Sequence, residues 1–321
     1  MSTIEMMETS MSSIEEGPPA VLVQDLWKRY GDVEAVRGIS FHVRRGEIFG
    51  LLGPNGAGKT TTVEIIEGMR RPDGGQVRVG GYDPITQADQ VKRRIGVALQ
   101  STALPDKIKV REALKLFASF YPRRIPVGEL LQLVALQEKA ESVFDTLSGG
   151  QQQRLAVALA LVNDPDVIIL DEPTAGLDPQ ARRELHGVIE RMRAGGKTII
   201  LTTHYIEEAE KLCDRVAIID RGRIIALDTP RRLVARSRGQ SRIAFRTATP
   251  IEVNALRRIP FVQKVARNEE GYTVWTVDVP RTVVELIKWL ESGNHELLDL
   301  HVMRPTLEDV FIELTGRSID R

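Results

Sequence analysis

The chain has 321 residues, enough for about two domains of ordinary size. Hydrophobic residues make up 42% of it, and 44 basic side chains balance 44 acidic ones. This composition excludes a largely disordered chain and a collagen-like repeat, and the zero formal charge gives no overall attraction to nucleic acid or anionic lipid. One cysteine, Cys213, excludes an internal disulfide, fits a reducing compartment, and is predicted to be a buried structural thiol.

The apolar runs and the first residues bear on membranes and targeting. The longest unbroken apolar run, residues 155–162, is far short of the roughly 20 residues that a membrane-spanning helix needs. The first 27 residues contain no Lys or Arg and no apolar core, unlike a secretory signal. Residues 1–20 are acidic and rich in Ser, Met and Glu, which predicts a disordered tail. We therefore expect a cytoplasmic chain that reaches a membrane only through a partner.

Hydrophobic periodicity and turn residues predict the elements of the first domain in chain order. The predicted strands are residues 21–30, 39–43, 47–52, 76–79, 95–100, 167–170, 198–203 and 216–219. The predicted helices are residues 59–69, 110–121, 127–135, 148–162, 182–194 and 206–212. The last three strands are apolar on both faces, as strands buried in a parallel sheet are. The alternation predicts an α/β domain with a largely parallel sheet and a helical subdomain over residues 21–233.

Beyond a polar linker at residues 236–241 the order of elements changes. The predicted strands are residues 242–246, 262–267, 272–279 and 297–302, and the predicted helices are residues 251–258, 282–290 and 306–314. The order βαββαβ, followed by one more helix, is that of a small ferredoxin-like α+β domain, which we place at residues 237–321. Thr306 and Asp309 have capping-box spacing at the start of the last helix, and Gly316 closes it.

Residues 53–60 match the phosphate-binding pattern Gly-x-x-x-x-Gly-Lys-[Ser/Thr], between a predicted strand and a predicted helix. Backbone N–H groups of such a loop point at phosphate, Lys59 can reach the β- and γ-phosphates, and the Thr60 hydroxyl can bind Mg²⁺. A glycine-rich turn without a ligand is disfavoured, because chance gives this pattern in on the order of one chain in a hundred. The predicted nucleotide-binding residues here are Gly53, Pro54, Asn55, Gly56, Ala57, Gly58, Lys59, Thr60 and Thr61.

Two acidic residues end the predicted strand at residues 167–170. A carboxylate at the C-terminal end of a buried parallel strand lies in the crevice where α/β proteins bind ligands. Asp171 suits Mg²⁺ binding, and Glu172 suits orienting or deprotonating an attacking water. Alone, such a pair usually marks only a solvent-exposed end of a strand. The phosphate-binding loop upstream is what favours a nucleotide-binding role for it.

The segment Leu147-Ser148-Gly149-Gly150-Gln151 precedes a predicted helix. Ser148 and Gln151 have capping-box spacing, which predicts a helix N-terminus and thus a second possible anion site. An ordinary serine-capped helix would explain those two residues alone. Gly149 and Gly150 add a bare backbone that a ligand or another backbone can approach closely.

The segment at residues 147–151, lying between such a phosphate-binding loop and such an acidic pair, resembles the ATP-binding-cassette (ABC) ATPases, and the resemblance covers residues 21–233. Tyr30 is similar to the aromatic residue that stacks on adenine in that family, and Gln100 to the glutamine of its Q-loop. Asp178 resembles the D-loop aspartate and His204 the switch histidine. The Ser-Thr-Ala that follows Gln100 departs from the family, where an acidic residue or asparagine is common there.

The resemblance implies ATP and Mg²⁺ as ligands, with Thr60, Gln100 and Asp171 around the metal. It implies that two cassettes, expected to be two copies of this chain, pair head to tail. Each ATP then lies between one phosphate-binding loop and residues 148–151 of the other copy. Lys59, Glu172 and His204 are the implied catalytic residues, with Glu172 activating water and His204 contacting the γ-phosphate. The implied partner is a separate transmembrane permease at the inner face of the membrane, with no nucleic acid.

Residues 303–317 resemble the end of the ATPases of bacterial drug exporters of the daunorubicin-resistance type, whose permease is commonly a separate chain. The leading interpretation is therefore the ATPase subunit of an exporter, with a cargo that the sequence leaves open. A non-transport cassette ATPase acting on ribosomes or DNA is the alternative. It is disfavoured because there is one cassette, and because the about 90 residues between Thr60 and Ser148 leave no room for a long coiled coil. A pure binding module is opposed by the implied catalytic residues.

Overall fold

The computed structural model describes residues 17–99, 103–105, 107–237, 241–268 and 271–319. The chain divides into two compact units, Met1–Thr229 and Pro230–Arg321. Gln100, most of the predicted tail and the centre of the predicted linker lie outside the described residues. Ala20, the last residue of the predicted tail, is buried, and its N–H donates to the carbonyl of Val43 over 2.9 Å.

Nine strands, seven α-helices and two short 3₁₀ helices, Gln137–Lys139 and Phe144–Thr146, are described in the first unit. The strands are β1 (Val21–Tyr30), β2 (Val33–Val43), β3 (Ile48–Leu52), β4 (Gly74–Val79), β5 (Ile95–Ala98), β6 (Val167–Asp171), β7 (Thr198–Thr203), β8 (Arg215–Asp220) and β9 (Arg223–Asp228). The helices are α1 (Lys59–Ile66), α2 (Ala88–Lys92), α3 (Val110–Ser119), α4 (Val127–Leu133), α5 (Gly149–Ala160), α6 (Pro179–Ala194) and α7 (Ile206–Leu212).

The main sheet has six strands in the order β5-β6-β7-β3-β8-β9. Every neighbouring pair is parallel except the antiparallel pair of β8 and β9, so the predicted largely parallel sheet is confirmed. Strand β7 lies between β6 and β3. Because carboxyl ends of parallel strands meet at one edge, the residues that follow β3, β6 and β7 lie side by side there.

A smaller antiparallel sheet, in the order β2-β1-β4, belongs to the same unit. Its buried residues join those of the main sheet in one hydrophobic core. Phe41 of β2 stacks on Phe49 of β3, with ring centroids 5.1 Å apart. Burial of this shared core fixes the β1–β2 hairpin, and with it Tyr30, beside the residues that follow β3.

The second unit has four strands and four helices among its described residues. The strands are β10 (Ser241–Thr247), β11 (Val262–Asn268), β12 (Gly271–Thr276) and β13 (Leu297–Met303), and the helices are α8 (Pro230–Arg236), α9 (Val253–Leu256), α10 (Val279–Ser292) and α11 (Leu307–Thr315). The sheet is antiparallel in the order β11-β12-β10-β13, which is the ferredoxin-like order that βαββαβ connectivity predicts. Thr306 and Asp309 form the expected capping box of α11.

Several boundaries differ from the sequence prediction. Helix α6 begins three residues early, at Pro179, because the Asp178 carboxylate accepts hydrogen bonds from the N–H groups of Gln180 and Ala181. Strand β12 ends at Thr276, since Asp278 caps α10 in the same way. Helix α8 falls in the second unit, whereas the sequence placed the boundary near residue 233.

Some elements were missed altogether. Strand β9 is half-exposed along most of its length and lacks a clear apolar alternation. The first half of β2 and the short helix α2 also escaped prediction. No helix in the described part of the chain combines the length and apolar character needed to cross a membrane.

Candidate nucleotide site

The loop of residues 53–58 connects the buried strand β3 to the first turn of α1. Gly58 has φ +103°, and a Cβ there would lie 2.4 Å from the carbonyl oxygen of Ala35 on the neighbouring hairpin. Only glycine fits this position without moving the backbone. The loop is therefore held in its curled form by β2, before any ligand is considered.

Lys59 begins α1 and its side chain is buried. The Nζ atom donates to the carbonyl oxygens of Gly53, at 2.7 Å, and Pro54, at 3.2 Å. It also lies 3.2 Å from Oε1 of Glu172. Burial lowers the pKa of Lys59, and the nearby carboxylates of Glu172 and Asp171 oppose that shift. The ammonium thus sits between the loop's own carbonyls and the residue that follows β6.

Glu172 lies between the side chains of Lys59 and His204. Its Oε2 atom is 3.2 Å from Nδ1 of His204, although that nitrogen makes no hydrogen bond among the described residues. The backbone of Glu172 has φ +46°, a left-handed conformation that is strained for a residue with a side chain. The structure therefore brings the three predicted catalytic residues together.

Thr202 of β7 fixes both acidic residues, a role that the sequence did not predict. Its hydroxyl donates to Oδ1 of Asp171 and accepts from the N–H of Glu172 over 2.9 Å. Thr202 is fully buried. Its only sequence signal is its place two residues before His204, near the end of a strand, so its partners on β6 became visible only in the sheet.

A cavity of about 700 Å³ opens beside the phosphate-binding loop. This is within the usual size range of small-molecule sites. The predicted residues that line it are Tyr30, Asn55, Gly56, Ala57, Gly58, Lys59, Thr60, Thr61 and Glu172. It is also lined by residues that sequence reasoning missed: Arg29, Asp32, Val33, Glu34, Ala35, Arg37 and Arg221. Most of these lie on the β1–β2 hairpin, whose second strand was predicted to begin only at residue 39.

Tyr30 ends β1, and its side chain is half-exposed. The Arg70 guanidinium carbon lies 5.1 Å from the centre of the Tyr30 ring, and Nζ of Lys28 lies 5.6 Å from it. Glu64 holds the Arg70 guanidinium through two hydrogen bonds, and Asp73 pairs with Lys28. Neither cation lines the cavity, whereas Tyr30 does.

The other predicted nucleotide residues do not all lie here. Among the described residues, Ser148, Gly149, Gly150, Gln151 and Asp178 do not line the cavity, and neither do Gly53, Pro54, Asp171 and His204. The predicted capping box is confirmed, since the Ser148 hydroxyl accepts from the N–H of Gln151 and the Gln151 side chain accepts from the N–H of Ser148. Ser148 and Gly149 are exposed.

Comparison with known proteins decides the family. Residues 36–175 match the family model described as ABC transporter. The Nod factor export ATP-binding protein I of Burkholderia pseudomallei (strain 1710b) is 42% identical over 302 residues, covering 92% of this chain and 97% of the relative. The chain belongs to the ABC transporter ATPases. The linearmycin resistance ATP-binding protein LnrL of Bacillus subtilis (strain 168) is 35% identical over 305 residues, covering 92% and 98%.

Solved ABC cassettes share the fold of the first unit. A structure described as an ATP-binding subunit of an ABC transporter has a TM-score of 0.60 and 30% identity, covering 68% of this chain and 92% of that one. The dimeric structure of the bacterial ABC transporter cassette MJ0796 has a TM-score of 0.59 and 25% identity, covering 65% and 98%. These transporter relatives favour transport over the ribosome or DNA alternative.

The residues of this ABC ATPase fit a nucleoside triphosphate and Mg²⁺. A Cβ on Gly56, where φ is +78°, would meet no atom within 4 Å, so the loop presents bare backbone to open space. The buried ammonium of Lys59 supplies the positive charge that phosphate oxygens need. The hydroxyl of Thr60 and the carboxylate of Asp171 supply the oxygen ligands that Mg²⁺ prefers.

Proposed function

We propose that this ATPase drives export through a separate membrane permease, by closing two copies of the chain around ATP and hydrolysing it. The observation that carries the proposal is the position of Glu172, whose carboxylate lines the cavity between Lys59 and His204. A carboxylate held beside a phosphate-binding loop can orient and deprotonate the water that attacks the γ-phosphate.

The phosphate-binding loop positions the triphosphate. Backbone N–H groups of residues 55–60 and the N-terminal end of α1 bind the β- and γ-phosphate oxygens, and Lys59 exchanges its contacts to the loop carbonyls for contacts to phosphate. Adenine stacks on Tyr30. Thr60, Asp171 and Gln100 would hold Mg²⁺, which neutralises phosphate charge when bound. Gln100 lies outside the described residues.

His204 completes the group that acts on the γ-phosphate. Its imidazole lies next to Glu172, so it can contact a γ-phosphate oxygen while the carboxylate faces the water. Because charge develops on those oxygens in the transition state, a fixed imidazole and ammonium there lower the barrier. Loss of the γ-phosphate removes these contacts.

A second copy of the chain supplies the remaining contacts. Ser148 and Gly149 are exposed at the N-terminus of α5 and do not line their own chain's cavity. A helix N-terminus attracts phosphate. Pairing two copies head to tail would place this exposed end, with Asp178, on the nucleotide of the other copy. The cassette MJ0796, to which the chain is similar, has a dimeric structure.

Export through a permease is supported by the names of the relatives. The proteins of Burkholderia pseudomallei and Bacillus subtilis are named as an export ATP-binding protein and a resistance ATP-binding protein. We place the chain at the inner face of the cell membrane, bound to a permease that holds the cargo site.

Membrane co-purification tests the proposal. The tagged Glu172→Gln protein, trapped with ATP and Mg²⁺ and gently solubilised, is expected to elute with a polytopic membrane protein in fixed stoichiometry. The same protein without nucleotide, and a Lys59→Ala variant with ATP, are the controls. A ribosome, nucleic acid or only soluble proteins in the eluate would overturn the transport assignment while leaving the ATPase chemistry in place.

A further inference from the structure

His204 is packed on one side by the residue that follows it. The rings of His204 and Tyr205 have centroids 4.1 Å apart and are tilted by 40°. The N–H of Tyr205 donates to the Thr203 hydroxyl over 2.9 Å, which fixes the backbone at the start of α7. An imidazole packed in this way loses much of its freedom to rotate away from Glu172.

Tyr205 is in turn covered by a cation from another element. The guanidinium carbon of Arg182, in the first turn of α6, lies 4.6 Å from the centre of the Tyr205 ring. The Nε atom of Arg182 is buried and makes no hydrogen bond among the described residues, so the aromatic face is the contact that the structure provides for it. Such a cation–π contact stabilises both partners in one orientation.

Arg182 belongs to the helix turn that carries Asp178. Its N–H donates to the carbonyl of Asp178 over 3.0 Å, while the Asp178 side chain caps the same turn. A continuous series of contacts therefore runs from the exposed N-terminus of α6, through Arg182 and Tyr205, to His204 and Glu172.

We propose that Arg182 and Tyr205 are positioning residues for hydrolysis, which hold the His204 imidazole against Glu172 and tie its orientation to the first turn of α6. The inference rests on the proposed ATPase mechanism, because it assigns the two residues a role through His204. Neither side chain lines the nucleotide cavity, and their aromatic and cation contacts lead to His204. We therefore expect their loss to act on the chemical step and to leave nucleotide binding in place.

A purely structural role for the pair is less consistent with the packing. Helices α6 and α7 are already joined deeper in the fold by His186 and Glu208, whose Nε2 and Oε1 atoms are 3.2 Å apart and buried. Apolar residues of both helices, Leu185 and Ala209 among them, are fully buried. Arg182 and Tyr205 are themselves only half-buried, so the buried core between the two helices does not consist of their contact.

Steady-state ATP hydrolysis by the full-length chain tests the proposal. Arg182→Gln and Tyr205→Leu are expected to lower kcat by about three- to thirtyfold, with KM for ATP changed less than twofold. Arg182→Lys and Tyr205→Phe keep a cation and a ring, and are expected to retain most of the rate. Arg191→Gln is the matched control, since Arg191 lies in the last turn of α6 and donates to the carbonyl of Leu133.

Double variants separate positioning from an independent effect. If Arg182 acts through Tyr205 and His204, Arg182→Gln adds no further loss to Tyr205→Leu or to His204→Ala. Three results would overturn the inference. The losses of kcat in the single variants could multiply in the double variant, KM could rise while kcat stays unchanged, or the rate loss could match a loss of folded protein seen in thermal unfolding.

Assays of the wild-type chain distinguish a failure of the positioning role from a failure of the proposed function. If it hydrolyses ATP and Arg182→Gln hydrolyses it equally fast, the inference fails and the proposed function stands. If the wild-type chain binds ATP and shows no hydrolysis alone or with membranes, the proposed function fails, and the positioning role fails with it.

Discussion

At the scale of single residues, the proposed mechanism assigns activation of the attacking water to Glu172. Its carboxylate contacts Lys59 and His204, but Lys59 also holds the carbonyl oxygens of Gly53 and Pro54. We expect Glu172→Gln to lower ATP turnover at least about a hundredfold, because an amide cannot take a proton from water. ATP binding should survive, since the loop keeps its contacts. Turnover and nucleotide affinity are measured together, with the exposed Glu190→Gln as control, and wild-type turnover would contradict the assignment.

A second single residue, Glu67, should make the stability of the folded chain depend on pH. Burial, then repulsion from Asp171 and Glu64, raises its pKa to about 8, and its Oε1 atom makes no hydrogen bond in the described part of the chain. The folded chain therefore keeps Glu67 protonated at neutral pH, whereas the unfolded chain ionises it above its ordinary value of 4.5. The stability that Glu67 contributes is fully present below pH 4.5 and is lost as pH rises towards 8.

Glu67→Gln should remove this pH dependence, because glutamine keeps the shape and does not titrate. We expect the variant to exceed the wild type in free energy of unfolding by roughly 1 to 3 kcal/mol at pH 8, and to match it near pH 4.5. Urea unfolding at both pH values measures the difference, with the exposed Glu138→Gln as control. An equal difference at the two pH values would show that Glu67 is not protonated in the fold.

At the scale of elements, the crossing of α5 on α6 gives different roles to two neighbouring glycines. A Cβ on Gly150 would lie 2.6 Å from the Cβ of Ala181, whereas a Cβ on Gly149 would meet nothing within 4 Å. Arg154 of α5 and Glu184 of α6 form an ion pair across the same contact. Gly150 is therefore required by packing within the chain, and Gly149 leaves space on the exposed side.

Alanine at each glycine tests this division. We expect Gly150→Ala to lower the free energy of unfolding by about 1 to 3 kcal/mol, because the two helices must move apart. Gly149→Ala should leave thermal unfolding nearly unchanged and should impair only ATP-dependent pairing of two copies. Thermal unfolding of both proteins compares them directly, and equal destabilisation would mean that the crossing is not as tight as described.

At the scale of the whole molecule, one chain forms only part of the proposed ATP site. Its cavity is lined by the phosphate-binding loop, Tyr30 and Glu172, while Ser148 and Gly149 are exposed and outside it. We expect the wild-type chain to be mostly monomeric without nucleotide, and Glu172→Gln to dimerise with ATP. Light scattering should show a doubled mass with ATP, and a monomer with ADP or with Lys59→Ala. A mass that does not depend on ATP would exclude this pairing for the isolated chain.

Local patterns in the sequence predicted the candidate site residues and most of the fold. Lys59, Thr60 and Glu172 could be proposed as site residues because a phosphate-binding loop and a strand-end carboxylate have recognisable local patterns. Parallel strands were recognisable because burial on both faces favours unbroken apolar runs, as at Val167–Leu170 of β6. The Ser148 capping box was also predictable, because its hydrogen bonds connect residues only three positions apart.

Which distant residues contact each other became known only from the packing of the elements. Thr202 contacts Asp171 because β6 and β7 are neighbours, and Arg182 covers Tyr205 because α6 packs on α7. Ala181 leaves no room for a side chain at Gly150, because α5 and α6 cross there. The sequence around Gly150 does not reveal that crossing. These contacts depend on how elements pack against one another, and periodicity or spacing along one segment carries no information about the partner across the interface.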